Sequence, residues 1–173
     1  MKVLIATDGT LDPIAAAEAS ARLAGQDGEV TVFTVVEIPR RLLTDLREVY
    51  GESSTPPPIF DLSIETAGHP TPRPHLSSDW PGDDTFIRRY VDDQKTSRTE
   101  PLVAALADRG ITTHPIAVES EDPVAEILKM SADGNYDVIC VGSRGQGRFD
   151  GFLGSTSTKI IRRAPRAVLT IRS

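Results

Sequence analysis

One cysteine, Cys140, stands in this chain of 173 residues, so no internal disulfide can form. It lies in the apolar run DVICVG and reads as a buried small hydrophobe rather than a reactive thiol. No stretch approaches the roughly 20 apolar residues that span a bilayer, which argues against a membrane partner. The opening MKVLIATDGT meets an acidic turn too early for the core of a secretory leader, so a cytoplasmic location is expected. Basic charge is in deficit: 19 Lys and Arg against 25 Asp and Glu leave a net charge of −6, which speaks against wholesale nucleic-acid binding. Only three histidines occur. His69 and His75 sit six apart among prolines and make no ligand set for a metal. His114, beside Pro115, reads as structural. Two nucleotide fingerprints are missing as well. A Walker A loop needs Gly-Lys-Ser/Thr, whereas Lys159 follows Thr158 with no glycine before it. A dinucleotide fingerprint needs G-x-G-x-x-G after the first strand, where the chain has DGTLDP. No internal repeat of solenoid period is visible.

What is there alternates between two periods. KVLIAT is a strand-like run, followed by Asp12-Pro13, a helix cap with proline in the first turn, and then IAAAEASARLA closed by Gly25. EVTVFTVVEIP is rich in β-branched residues and reads as the second strand. Further on, TFIRRYVDDQKTSRTEPLVAALADRG has helical spacing, with Pro101 expected to break or kink it. ITTHPIAVES is a third strand whose proline suggests an edge position or an irregularity. Asp122-Pro123 repeats the helix start signal, with Gly134 as the stop. YDVICVGS reads as a central parallel strand, GSTSTKIIRRA as a last helix and APRAVLTIRS as a last strand. Together these predict one doubly wound α/β domain over residues 1–173, a five-stranded parallel sheet with helices on both faces.

Composition changes between Gly51 and Asp84, which hold seven of the 13 prolines and the one tryptophan, Trp80, with Phe60. This proline-rich stretch, the bulk of an insertion of about residues 45–84, cannot be one helix or a central strand from Gly51 to Asp84. It is either a mobile insertion or a flap that orders against a ligand or partner. The preceding RRLLTDLREVY suits a short helix.

In an open parallel sheet, ligands bind beyond the carboxyl ends of the strands, near the switch in strand order. Three segments reach that edge: TDGT, TVVEIP and GSRGQGRFDGFLGSTS. The last has the strongest chemistry. Its glycines let backbone approach an anion, and a helix opens at Gly154-Ser155 with unpaired N–H groups. Ser155 and Thr156 add hydroxyls, while Arg144 and Arg148 add positive charge. From Gly142 to the end there are seven Lys or Arg and one acid, Asp150, which would suit a small polyanion. The alternative is a glycine-rich turn with Ser155 as the helix cap, and Arg162 and Arg163 merely complementing a helix dipole.

The order of elements, ATDGT after the first strand and VGSRGQG…LGSTSTKIIRRAPRAVLTI at the end resemble the universal stress protein family over about residues 1–38 and 100–173. The ATP-binding branch of that family carries G-x2-G-x9-G-[S/T], and Gly142, Gly145 and Gly154-Ser155 occupy the pattern. Here eight residues, Gln146 to Leu153, stand where the family has nine, with Gly147 and Gly151 as added sources of freedom. The resemblance implies an ATP-binding stress or regulatory protein. Asp8 would contact the adenosine portion, unless it only caps its turn. Val35 would meet adenine through its backbone, unless it is plain strand core. Gly142 and Gly145 would admit the phosphates, with Ser155 and Thr156 hydrogen-bonding them, Arg144 beside them and Mg²⁺ accompanying the phosphates. It also implies a homodimer through the last strand, an apolar edge able to pair, and a protein partner of unknown kind. The sequence offers no convincing catalytic set, so slow ATP hydrolysis at most is expected. The competing reading is a dimeric interaction scaffold of the same fold that ignores nucleotide.

Overall fold

The computed structural model describes residues 1–38, 83–143 and 153–172. The helix expected before residue 51, the insertion up to residue 82 with His69, His75 and Trp80, and the loop residues Arg144 and Gly145 lie outside them. Contacts divide the chain into one unit of residues 1–38 and 87–173 and a second of residues 39–86. The sheet belongs to the first unit.

Five strands form it: β1 (Lys2–Ala6), β2 (Glu29–Val36), β3 (Ile116–Glu119), β4 (Val138–Gly142) and β5 (Ala167–Ile171). All neighbours are parallel, in the order β3-β2-β1-β4-β5. The chain therefore winds outward from β1 to β3, then returns to β4 on the other side of β1. The switch point falls between β1 and β4, as the doubly wound reading requires. β1 and β4 are central and buried on both faces, which is why they read as continuous apolar runs.

Four helices cover the described sheet: α1 (Pro13–Ala24), α2 (Asp83–Ala107), α3 (Pro123–Asp133) and α4 (Ser155–Arg163). On one face, Ala16 and Ala17 of α1 and Leu102 and Leu106 of α2 pack against Val3, Ile5, Val32 and Cys140. On the other, Val124 and Ile127 of α3 and Ile160 of α4 pack against Leu4, Phe33, Ile139 and Val141. Alternate residues along each strand thus feed opposite cores.

Local chemistry explains the helix ends. Asp12 Oδ1 accepts from the N–H groups of Ile14 (2.9 Å) and Ala15 (3.1 Å), with Pro13 in the first turn. Asp122 accepts from the Ala125 N–H at 3.1 Å. After α3, Gly134 stays in the right-handed region and Asn135 takes the positive φ of 50° instead. Gly134 is needed for space: a Cβ there would stand 2.2 Å from the Tyr136 ring, whose hydroxyl donates to Thr31 Oγ1 at 2.8 Å.

Two expectations are corrected. α2 runs unbroken through Pro101. The proline is exposed, so the carbonyl it leaves unpaired belongs to exposed Ser97, while Leu102 and Leu106 on the next turns are held in the core. The third strand is also shorter than expected and begins after Pro115, which has no N–H to give to a ladder. Its edge position is as expected.

Cys140 is fully buried, as its apolar setting implied, and accepts a long contact of 3.9 Å from the Ser20 hydroxyl. Burial pushes its thiol up from 9.0 to about 11, the Ser20 contact opposing slightly. Between those values the unfolded thiol ionises while the folded one stays neutral, so the unfolded state binds fewer protons and stability falls as pH rises. The expected loss is about 2–3 kcal/mol between pH 9 and 11. Urea denaturation of the unaltered chain and of Cys140→Ala across that range checks it. The difference between their slopes isolates the thiol from lysine and tyrosine titration.

Candidate functional site

The site is assembled where β1, β2 and β4 end. β1 leaves the sheet after Ala6, which is paired with Phe33 on one side and Val141 on the other. The Thr7 N–H gives the last ladder bond, to the Phe33 carbonyl at 3.0 Å. The chain then turns tightly. Thr7 Oγ1 accepts from the Gly9 N–H at 3.0 Å. Asp8 Oδ1 accepts from the Thr10 N–H at 3.0 Å and the Thr10 hydroxyl at 2.6 Å. Gly9 has φ +91°, a conformation that the turn imposes and other residues rarely adopt. Asp8 therefore does organise its turn, the simpler of the two roles expected of it. Both bonds fall on one oxygen. Oδ2 has no partner among the described residues, so the half-buried carboxylate keeps acceptor capacity at the sheet edge.

Because β1 departs early, β2 is left with an open flank. Along a parallel strand, successive residues direct their backbone groups to opposite neighbours. Phe33 faces β1, and Val36 faces β3, where its carbonyl accepts from the Ser120 N–H at 3.2 Å. Val35 must face the side that β1 has vacated. Its side chain packs in the core, as the plain-strand alternative held, yet its carbonyl points into the crevice. That carbonyl is engaged by Arg98 of α2, whose Nη1 donates to it at 3.0 Å.

The end of β4 meets the start of α4 through three bonds. The Gly154 N–H donates to the Ser143 carbonyl at 3.0 Å, the Ser157 hydroxyl donates to the Gly142 carbonyl at 2.6 Å, and the Ser143 N–H donates to the Ile171 carbonyl at 2.7 Å. Both ends of the glycine-rich stretch are thereby pinned to each other and to β5. The eight-residue spacer leaves this closure intact. The residue that caps α4 is Gly154, with no side-chain cap bond. Ser155 is not the cap, which corrects the bland alternative. It is the first helical residue, and it and Thr156 are exposed. The first bond inside the helix is from the Thr158 N–H to the Gly154 carbonyl at 2.9 Å. The N–H groups of the first turn are thus uncapped by any described side chain, with the positive end of the helix behind them.

Asp8, Val35, Gly142, Gly154, Ser155 and Thr156 thus belong to one carboxyl edge, spread over adjacent β2, β1 and β4 and the helix after β4. Three contributors carry no sequence signal of their own: Thr10 on Asp8, Ser157 on Gly142 and Arg98 on Val35. Arg98 is 63 positions from its partner and belongs to no motif.

Among solved structures, the chain resembles the hypothetical protein MJ0577, with a TM-score of 0.63 at 18% identity, over 99% of this chain and 95% of that one. A universal stress protein in complex with cAMP aligns with a TM-score of 0.52 at 16% identity, over 99% of this chain and 96% of that one. A universal stress protein family protein from Arabidopsis thaliana with AMP bound aligns with a TM-score of 0.51 at 16% identity, over 99% and 91%. These likenesses show the fold. No curated relative matches the sequence. The model of the universal stress protein family matches residues 1–172.

Proposed function

As this chain belongs to the universal stress protein family, we propose that it is an ATP-binding stress or regulatory protein whose nucleotide lies at the carboxyl edge of the sheet. One observation carries the reading: the N-terminus of α4, uncapped by any described side chain, is held against Gly142 by Ser157, on the strand next to the Asp8 turn. Two structural neighbours are described with cAMP and with AMP, which supports an adenine nucleotide in such a fold. In this reading Val35 receives the base through its backbone and Asp8 Oδ2 accepts from the sugar. Gly142 and Gly145 admit the phosphates. The first-turn N–H groups and hydroxyls of Ser155 and Thr156 donate to them, beside Arg144. Magnesium would enter with the phosphates, since it retains most of its water and asks for one or two carboxylates at most.

Denaturing the freshly purified protein and analysing the released small molecules is expected to yield an adenine nucleotide. Titration calorimetry with ATP and Mg²⁺ is expected to show saturable binding. No heat up to millimolar ATP would sink the proposal. The same sample addresses assembly. Among the described residues β5 pairs only with β4, and no described strand lies on its outer edge, with Val168 and Leu169 half-buried. That edge supports a homodimer through β5 and keeps the scaffold reading in play. Light scattering with and without ATP separates the two. A nucleotide-binding dimer fits the first reading, and a dimer indifferent to nucleotide fits the second.

No helix among the described residues is long and apolar enough to cross a membrane.

A further inference from the structure

The base end of the crevice holds a residue that the site does not need for phosphate. Arg98 reaches it from α2 and is fixed three ways. Its Nη1 donates to the Val35 carbonyl at 3.0 Å, and its Nε donates to Gln94 Oε1 at 3.2 Å. Its stem lies over Gly9, where an added Cβ would come within 3.2 Å of Arg98 Cγ. Gly9 thus serves both the turn and the seat of the arginine. A guanidinium has about five N–H donors and no acceptor. Two donors are used in these bonds, and the others have no partner among the described residues.

The consequence concerns hydrogen-bond polarity. The strand edge alone would present the Val35 N–H and carbonyl, one donor and one acceptor. With Arg98 seated, the acceptor is already engaged and further donors stand beside it. Adenine carries an amino donor at its 6-position, whereas 6-oxopurines carry an acceptor there. An adenine amino group can bond the Val35 carbonyl only through its second lone pair, crowded beside the cationic Nη1 already bonded there. A 6-oxo group can accept from the seated guanidinium directly.

We propose that Arg98 sets the purine selectivity of this site, competing with a 6-amino group for the Val35 carbonyl and donating to a 6-oxo group. The inference rests on the reading that a purine base lies at Val35. It makes Arg98 a specificity determinant that lowers affinity for adenine nucleotides relative to a site without it.

Calorimetric titration of AMP and of inosine monophosphate, whose bases differ at the 6-position, tests it on the unaltered chain and on Arg98→Met. Methionine keeps an unbranched stem over Gly9 and has no donor. AMP is expected to tighten and inosine monophosphate to weaken, so that their ratio of affinities moves about tenfold or more toward AMP, the scale of one charged hydrogen bond. Arg98→Lys keeps a donor without the planar fork, and its ratio is expected to move the same way by less. It decides the matter if the methionine variant fails to fold. A ratio that does not move, or moves toward inosine monophosphate, overturns the proposal while leaving the nucleotide site standing. Binding of neither nucleotide to any of the three chains overturns the purine reading and the proposal with it.

Discussion

Gly9→Val is expected to lower the free energy of unfolding by about 2–4 kcal/mol and to abolish nucleotide binding. The two effects share a cause. At φ +91° a side chain is strained by its own backbone, and a β-branched one most of all. The new Cβ would also press on the Arg98 stem, 3.2 Å from its Cγ, 3.4 Å from its Cα and 3.5 Å from its Cβ. Relief requires α2 to back away or the turn to open. Opening the turn breaks the hold of Thr10 on Asp8, and moving α2 draws Arg98 off Val35. Either movement distorts the base end of the crevice. Gly25→Val is the matched control. It too has positive φ, +69°, but nothing lies within 4 Å of its added Cβ. With ψ −165° it lies in a region that glycine alone adopts readily, so the change should cost about 1–3 kcal/mol of backbone strain and leave nucleotide affinity unchanged. Urea denaturation and AMP titration of both variants check the pair. Normal AMP affinity in Gly9→Val would remove this turn from the site.

The contrast between these glycines shows what the sequence could and could not reveal. Features carried by neighbours in the chain were legible. Asp12-Pro13 and Asp122-Pro123 announce helix starts because the cap, its acceptor and the N–H groups it satisfies lie within three residues of each other. β1 was legible as a strand and β4 as a central one because burial on both faces removes polar alternation. Of the break or kink expected at Pro101, the break is absent, because Leu102, Ala105 and Leu106 bind the following turns into the core. The glycine stop of α3 was legible, but its reason was not. Gly134 is there for the Tyr136 ring, and the positive φ belongs to Asn135.

For the site, the sequence and its family likeness pointed to Asp8, Val35 and the two ends of the glycine stretch at one sheet edge, and the structure places them there. It could not tell that Asp8 spends one oxygen on Thr10, or that Val35 already has a partner. Those facts depend on where β1 leaves the sheet and on which helix crosses above it. The described residues that flank the one-residue-shorter stretch are joined by the Gly154–Ser143 and Ser157–Gly142 bonds.

Ser155→Asp is expected to strengthen the fold slightly and to weaken AMP binding on the order of a hundredfold. Ser155 is the first residue of α4, exposed, with no side chain among the described residues capping the helix. A carboxylate there complements the helix dipole and should add about 0.3–1 kcal/mol of stability. The same charge would stand where the proposed phosphates lie. Two unit charges about 4 Å apart repel by on the order of 4 kcal/mol at an effective dielectric near 20, which salt and relaxation reduce but do not cancel. Opposite signs on stability and affinity distinguish this from damage to the fold. Adenosine supplies the second comparison, because it has the base and sugar without the phosphate. Its affinity for Ser155→Asp should match that for the unaltered chain, and the AMP loss should shrink at high salt. Calorimetry with both ligands at low and high salt, alongside thermal melting, reads all of these. If AMP and adenosine weakened together, the effect would not be electrostatic at the phosphate. If AMP binding were unchanged, the phosphate would lie away from α4, and the open helix end would have no part in holding it.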